Sequence, residues 1–203
     1  MKFSIIMPSR LQPYPGAASE RDRKLIRAIQ SCLKQTFSDW EILIIADGCL
    51  ETIGIVTEFI EDERIKLMKV EHQKLWSGRP RNTGIENAKG EWLTYLDIDD
   101  IYGENHLQTI NDNLANFDWV WYDDIRYRPR LDYWYENSCD IHVMGRHGTS
   151  NITHKRELNV FWDEDGKYAH DFHFVQKLLK FKNGGKIPTP EYYVCHIPGV
   201  YDL

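Results

Sequence analysis

The chain has 203 residues, 42% apolar and 28% charged, a balance that suits one folded domain with a sizeable core rather than a disordered segment. Its 25 basic and 31 acidic residues leave a net charge of −6, which disfavours broad attraction to nucleic acid or anionic lipid. No apolar run approaches the ~20 residues of a membrane span.

The first apolar stretch ends at Pro8, too short for a signal peptide, so Phe3–Met7 reads as a first strand. Residues 20–35 carry Leu25, Ile26, Ile29, Cys32 and Leu33 at helical spacing, with Ser19 placed to cap them. Trp40–Ala46 is nearly all apolar and predicts a strand buried on both faces. Ile53, Val56 and Ile60 mark a second helix, Ile65–Val70 a third strand, and Gly78–Lys89 a third helix stopped by Gly90. Trp92–Leu96 is a fourth strand, and Leu107, Ile110 and Leu114 mark the helix after it. Repeated strand–helix units predict an α/β fold: a mainly parallel, Rossmann-like sheet with helices on both faces.

After about Asn116 the pattern changes. Trp119–Tyr122, Asp124–Arg128 and Leu131–Tyr135 read as a small antiparallel hairpin or meander, and Gly145–Asn151 as a polar loop. Tyr168–Phe181 is helical again, and Glu191–His196 is a last short strand. The two halves, 1–116 and 117–203, are expected to share one core as a single domain. The four cysteines, Cys32, Cys49, Cys139 and Cys195, are too scattered for a zinc site and read as reduced thiols of a cytoplasmic protein. The 7 Trp, 11 Tyr and 8 Phe serve either core filling or sugar stacking.

Ligands of open parallel sheets bind beyond the carboxyl ends of the strands. Those ends carry Pro8-Ser9-Arg10, Asp47-Gly48 and Asp97-Ile98-Asp99-Asp100, with Arg79 and Arg81 following the third strand. Three carboxylates within four residues repel one another unless a cation is near. The Gly-x-Gly-x-x-Gly and Gly-x-x-x-x-Gly-Lys-Ser/Thr signatures are both missing, which disfavours a dinucleotide enzyme and a P-loop NTPase. What remains is a phosphate-type site of basic side chains and a divalent metal. Asp97 and Asp99 are hard oxygen donors that suit Mg²⁺ or Mn²⁺ and leave positions for diphosphate oxygens.

The segments Phe3–Ser9, Ala28–Phe37, Glu41–Gly48, Arg81–Ile85, Ala88–Trp92 and Leu96–Asp100 together resemble family 2 glycosyltransferases of the GT-A fold, in order and spacing across roughly residues 3–110. The resemblance implies a metal-dependent, inverting transfer of a sugar from a nucleoside diphosphate to the hydroxyl of a glycan or glycoconjugate. It implies that Ser9, Asp47 and Arg81 hold the nucleotide, that Asp97-Ile98-Asp99 is the metal-binding Asp-x-Asp, and that Pro8, Arg10 and Arg79 stand with them. A carboxylate at Asp47 can accept the imide N–H of uracil, which favours a UDP or dTDP donor. His196 is a candidate further metal ligand, and Trp76 and Ser77 can flank the donor.

Two departures from the family pattern stand out. Ala46 replaces the first of the usual paired aspartates, and His170-Asp171 stands where the family has Glu-Asp. Asp171 matches the catalytic Asp and opens a helix whose N-terminal dipole favours its ionised form, so it is the expected general base, with His170 as second choice. The competing readings are a metal-dependent nucleotide-sugar hydrolase and a non-catalytic carbohydrate-binding module.

Overall fold

The structure, a computed structural model, describes residues 1–14, 17, 19–73, 77–128, 131–165, 167–197 and 201–202. The first half alternates β1 (Phe3–Ser9), α1 (Arg21–Leu33), β2 (Trp40–Asp47), α2 (Leu50–Thr57), β3 (Ile65–Val70), α3 (Gly78–Asn87) and β4 (Trp92–Tyr95). There follow β5 (Ile101–Tyr102), α4 (His106–Asp112), β6 (Trp119–Trp121), β7 (Asp124–Arg128), β8 (Tyr133–Asn137) and β9 (Ile152–Lys155). The chain ends with α5 (His170–Leu178), β10 (Gly184–Lys186), β11 (Tyr192–Val194), β12 (His196–Ile197) and β13 (Tyr201–Asp202).

The main sheet has the order β10-β6-β9-β4-β1-β2-β3. β1 pairs in parallel with β2 and β4, and β2 with β3, as the strand–helix alternation predicts. All eight residues of β2 are buried, the signature of a strand covered on both faces. Side-chain alternation along β1 divides the interior. Phe3, Ile5 and Met7 face the cluster that receives Leu25, Ala28, Ile29 and Cys32 of α1, Val56 of α2, and Leu107 and Ile110 of α4. Ile6, with Leu43 and Ile45 of β2, faces Ile85 of α3 and Phe174, Val175 and Leu178 of α5. Both clusters contain residues from before and after Asn116. The four cysteines are free thiols, as expected, and all are buried.

The second half corrects the sequence reading. Trp119–Trp121 does not join a meander; it lies in the main sheet, between β9 and β10. Between β6 and β4 runs β9, the only strand of this sheet, among the described residues, antiparallel to its neighbours. A hairpin of β7 and β8 does form, and β11 and β5 extend it into a second, four-stranded sheet. The first helix starts at Arg21, so its cap position is Glu20, in the left-handed region (φ 45°), one residue after the expected Ser19.

Candidate functional site

The carboxyl ends of β1, β2 and β4 meet on one edge of the sheet, because parallel pairing sets Ser9 beside Ala46 and Ile6 beside Tyr95. Ser9 is buried and its hydroxyl is engaged with that of Thr52, 2.8 Å away on α2. Asp47 closes β2 with its Oδ2 3.0 Å from Nδ1 of His72. Gly48 follows at φ +59°, and a Cβ there would lie 2.6 Å from that of His72, so this turn requires glycine. Cys49 then caps α2, its Sγ accepting from the N–H groups of Thr52 and Leu11, both at 3.4 Å. Arg10 donates to the carbonyl of Asp47 at 3.3 Å, and its own carbonyl accepts from Arg21 at 2.7 Å. Pro8 lies within β1, half-buried, directly before this cluster.

The acidic segment at the end of β4 is charge-matched by the protein itself. Arg81, only 3% exposed, donates through Nη2 to Asp97 Oδ1 at 2.8 Å and through Nη1 to Ser77 Oγ, and its guanidinium lies 4.9 Å from the ring of Trp162. Arg21 approaches Asp99 Oδ2 at 3.8 Å, and Arg27 donates to the Asp99 carbonyl at 2.9 Å. The third carboxylate turns inward: Asp100 is buried and accepts from the hydroxyl of Tyr192 and, at 2.8 Å, from the N–H of Cys195. Burial pushes its carboxyl well above the ordinary range, and the charges of Asp99 and Asp97 push it the same way. These carboxylates do act against one another, as expected, and the protein offsets part of that charge itself. Arginines of α1 and α3 offset two of them, and the third is withdrawn into the interior.

α5 reaches this cluster from the far end of the chain. His170, its first residue, packs against the Trp162 ring at 5.8 Å between centroids and lies close enough to Arg81 to feel its charge. Burial, then Arg81, depress the His170 imidazole to about 4, against the opposing pull of Asp171 and Asp97. Asp171 bonds the N–H of Phe172 at 2.8 Å, in the first turn of α5. The segment before α5 is locked to α3: Asn82 accepts from Trp162 N at 2.8 Å and donates to Glu164 at 2.7 Å.

Sequence reasoning thus singled out Asp47, Arg81, Asp97, Asp99 and Asp171, but missed Arg21, Arg27, Thr52, His72, Trp162 and Tyr192. The one signal for the first two is the cluster of four basic residues within Arg21–Arg27. Ile98 is 3% exposed and its side chain belongs to the core, so only its backbone is available to a ligand. Arg79 is half-buried in α3. Trp76 and the side chain of His196 lie outside the described residues.

The profile of the family described as Glycosyl transferase family 2 matches residues 18–185. The chain belongs to glycosyl transferase family 2. Among relatives of this family, the chain is 36% identical over 105 residues to WfgD of Escherichia coli, named a UDP-Glc:alpha-D-GlcNAc-diphosphoundecaprenol beta-1,3-glucosyltransferase, covering 52% of this chain and 38% of that one. It is 33% identical over 88 residues to the glycosyltransferase GlyG of Streptococcus pneumoniae, covering 42% and 29%. The chain thus spans about a third of the length of these curated relatives. The structure superposes on TarS of S. aureus in complex with UDP-GlcNAc with a TM-score of 0.76 at 19% identity, covering 98% of this chain and 60% of that one. The mannosyltransferase PcManGT of Pyrobaculum calidifontis, in complex with GDP-Man and Mn²⁺, superposes with a TM-score of 0.69 at 16% identity, covering 98% and 57%. The fold is the GT-A fold.

Glycosyltransferases of this fold commonly use divalent metals. Among the described residues no three His, Cys, Asp or Glu side chains gather as a metal set. The Asp97 carboxylate, although bonded to Arg81, is still 37% exposed, so this hard oxygen donor remains accessible to a cation. Among the described residues no helix is long and apolar enough to cross a membrane.

Proposed function

We propose that this chain binds a nucleoside-diphosphate sugar, with UDP as the favoured nucleotide, and transfers the sugar with inversion to an acceptor hydroxyl, with Asp171 as the general base. One observation carries the reading. His170, the first residue of α5, and Arg81 lie against the same Trp162 ring, and His170 is within the field of Arg81 and Asp97, so α5 brings Asp171, 74 positions after Asp97 in the sequence, to the neighbourhood of a diphosphate-type site. The binding of UDP-GlcNAc by TarS and the UDP-Glc donor in the name of WfgD support the choice of nucleotide.

In this reading Asp47 accepts the imide N–H of the base, and the Ser9–Thr52 pair ties β1 to α2 next to it. Arg10, Arg79 and Arg81 offset the diphosphate, and Pro8 and Ile98 frame it. Asp97 and Asp99, with His196 as a candidate third ligand, would hold Mn²⁺ or Mg²⁺. A cation there stabilises the negative charge of the departing diphosphate. The acceptor oxygen attacks the anomeric carbon as its proton passes to an Asp171 carboxylate oxygen. The anomeric carbon–phosphate oxygen bond breaks, its electron pair leaves with the nucleoside diphosphate, and the configuration inverts. The whole chain, 1–203, acts as one unit, with residues 117–203 supplying the acceptor side and the base.

The test is Asp171→Asn, assayed with a panel of nucleotide sugars and Mn²⁺ for nucleotide release with and without candidate acceptors. The variant is expected to keep its fold and UDP affinity while transfer falls roughly 10²–10⁴-fold. Near-normal transfer removes Asp171 from the role and makes His170→Ala the next variant. Equal nucleotide release without any acceptor makes the protein a hydrolase instead.

A further inference from the structure

The segment before β9, a polar loop by its sequence, is largely interior: His147 is 5% exposed, Thr149 5%, Ser150 0% and Asn151 1%. Asn151 accounts for its own burial. Its side chain accepts from Gly148 N at 2.8 Å and donates to the Tyr122 carbonyl at 3.1 Å and to Asp124 at 3.4 Å, which pins the turn in place. His147 and Ser150 are different. Neither ring nitrogen of His147, nor the hydroxyl of Ser150, makes a hydrogen bond of normal geometry. Buried polar atoms without partners are uncommon and are often found where a ligand supplies the partner.

Their positions say which ligand. β9 runs antiparallel to β4 with Thr94 opposite Thr153. The turn at Thr149–Asn151 leads directly into β9 and packs against β4, on the side where β4 runs on toward Asp97. Ser150, within that turn, is thus near the end of β4 that leads to Asp97. His147 has its ring 6.4 Å from that of Phe172 and lies within the field of Asp171. Burial lowers the His147 pKa, opposed by Asp171, the Gly148 backbone and Asp140, so the neutral ring offers one donor and one acceptor.

We propose that His147 and Ser150 form the subsite for the transferred sugar, hydrogen-bonding hydroxyls of its ring. This rests on the reading above, in which diphosphate lies at Asp97 and the acceptor at Asp171; the transferred sugar is then the group between them. Neither side chain contacts the nucleotide in this arrangement, so both act on sugar selection.

The experiment compares Ser150→Ala and His147→Phe with the wild type by calorimetry in the presence of Mn²⁺. The probes are UDP and whichever of UDP-glucose, UDP-galactose, UDP-GlcNAc and UDP-GalNAc the wild type binds most tightly. Each variant is expected to lose roughly tenfold in UDP-sugar affinity with UDP affinity unchanged. Ser150→Ala, which removes a hydroxyl with no partner in the free chain, is expected to keep or raise the melting temperature. Unchanged UDP-sugar affinity in both variants, an equal loss for UDP itself, or an effect confined to the acceptor KM overturns the subsite. A wild type that binds neither UDP nor any of the four UDP-sugars overturns the donor-site reading, and the subsite with it.

Discussion

Two histidines deep in the fold make it acid-sensitive in a defined window. His154 is fully buried in β9, with Nε2 2.8 Å from the Tyr95 hydroxyl and Nδ1 3.0 Å from the Lys155 carbonyl, and burial lowers its pKa to about 4. His106, at the start of α4, is also fully buried, is bonded to the Pro190 carbonyl, and is lowered to about 3. Both folded values lie below the ~6.5 of an unfolded histidine, so the unfolded chain takes up the protons first. Their contribution to stability is complete above about pH 6.5 and declines as the pH falls toward 4 and 3. By pH 5 each histidine has cost about 2 kcal/mol of folding free energy. The depressed carboxylates, Glu51, Asp62, Glu91, Asp118 and Asp165, stay ionised through most of this window and contribute only at lower pH. His170, lowered to about 4, adds to this decline, while Asp100, whose raised carboxyl keeps its proton in the folded chain, opposes it. Urea unfolding from pH 7.5 to 4.5 therefore isolates one histidine by difference: His154→Gln is expected to change the fall in stability between pH 7.5 and 5 by about 2 kcal/mol relative to wild type, whatever it does to stability at pH 7.5. An unchanged pH slope in His154→Gln would refute the reasoning.

Arg81→Met breaks a pair whose partner is over a third exposed, so about 1–2 kcal/mol goes with the ion pair and about 0.5–2 with the Trp162 contact. The expected melting temperature falls by roughly 5–15 °C and UDP affinity by about tenfold or more; calorimetry showing neither change excludes this role. Gly78→Ala puts a Cβ 2.1 Å from the Asp163 carbonyl oxygen, and the displaced segment strains the Asn82 bonds to Trp162 and Glu164. A loss of about 1–3 kcal/mol in denaturant unfolding is expected, and wild-type stability would contradict the close approach. UDP is expected to bind more tightly with Mn²⁺ or Mg²⁺ than with a chelator, and Asp99→Asn is expected to remove most of that difference; equal affinity in both conditions for the wild type argues against the cation.

Part of this architecture is written locally. β2 is legible because a strand covered on both faces needs an unbroken apolar run, and Trp40 to Ala46 is nearly one. α1 is legible because Leu25, Ala28, Ile29 and Cys32 repeat at the helical period on its buried face. Asp47 and Asp97 stand out because they directly follow such runs, and a strand's end in a parallel sheet is where a ligand meets it. Asp171 stands out as an acid in the first turn of a helix.

β9 has no such mark. Two of its buried residues, Thr153 and His154, are polar and find their partners on β4, in Thr94 at 3.1 Å and Tyr95 at 2.8 Å. An alternation of apolar and polar residues reports which face of an element meets the core; it carries no information about a partner supplied by another strand. The same holds for the charges. Nothing near Asp97–Asp100 in sequence reveals that Arg21 and Arg27 come to Asp99 from α1, or that Asp100 turns away to Tyr192, 92 positions later. Local spacing sets which residues can form a strand end and which side of a helix is buried. The parallel crossovers, and the antiparallel strand inserted among them, decide which arginine faces which carboxylate and which polar side chains are sealed beside them. Hydrogen bonds and ion pairs act over a few ångströms of space, and only the assembled sheet brings those atoms within reach.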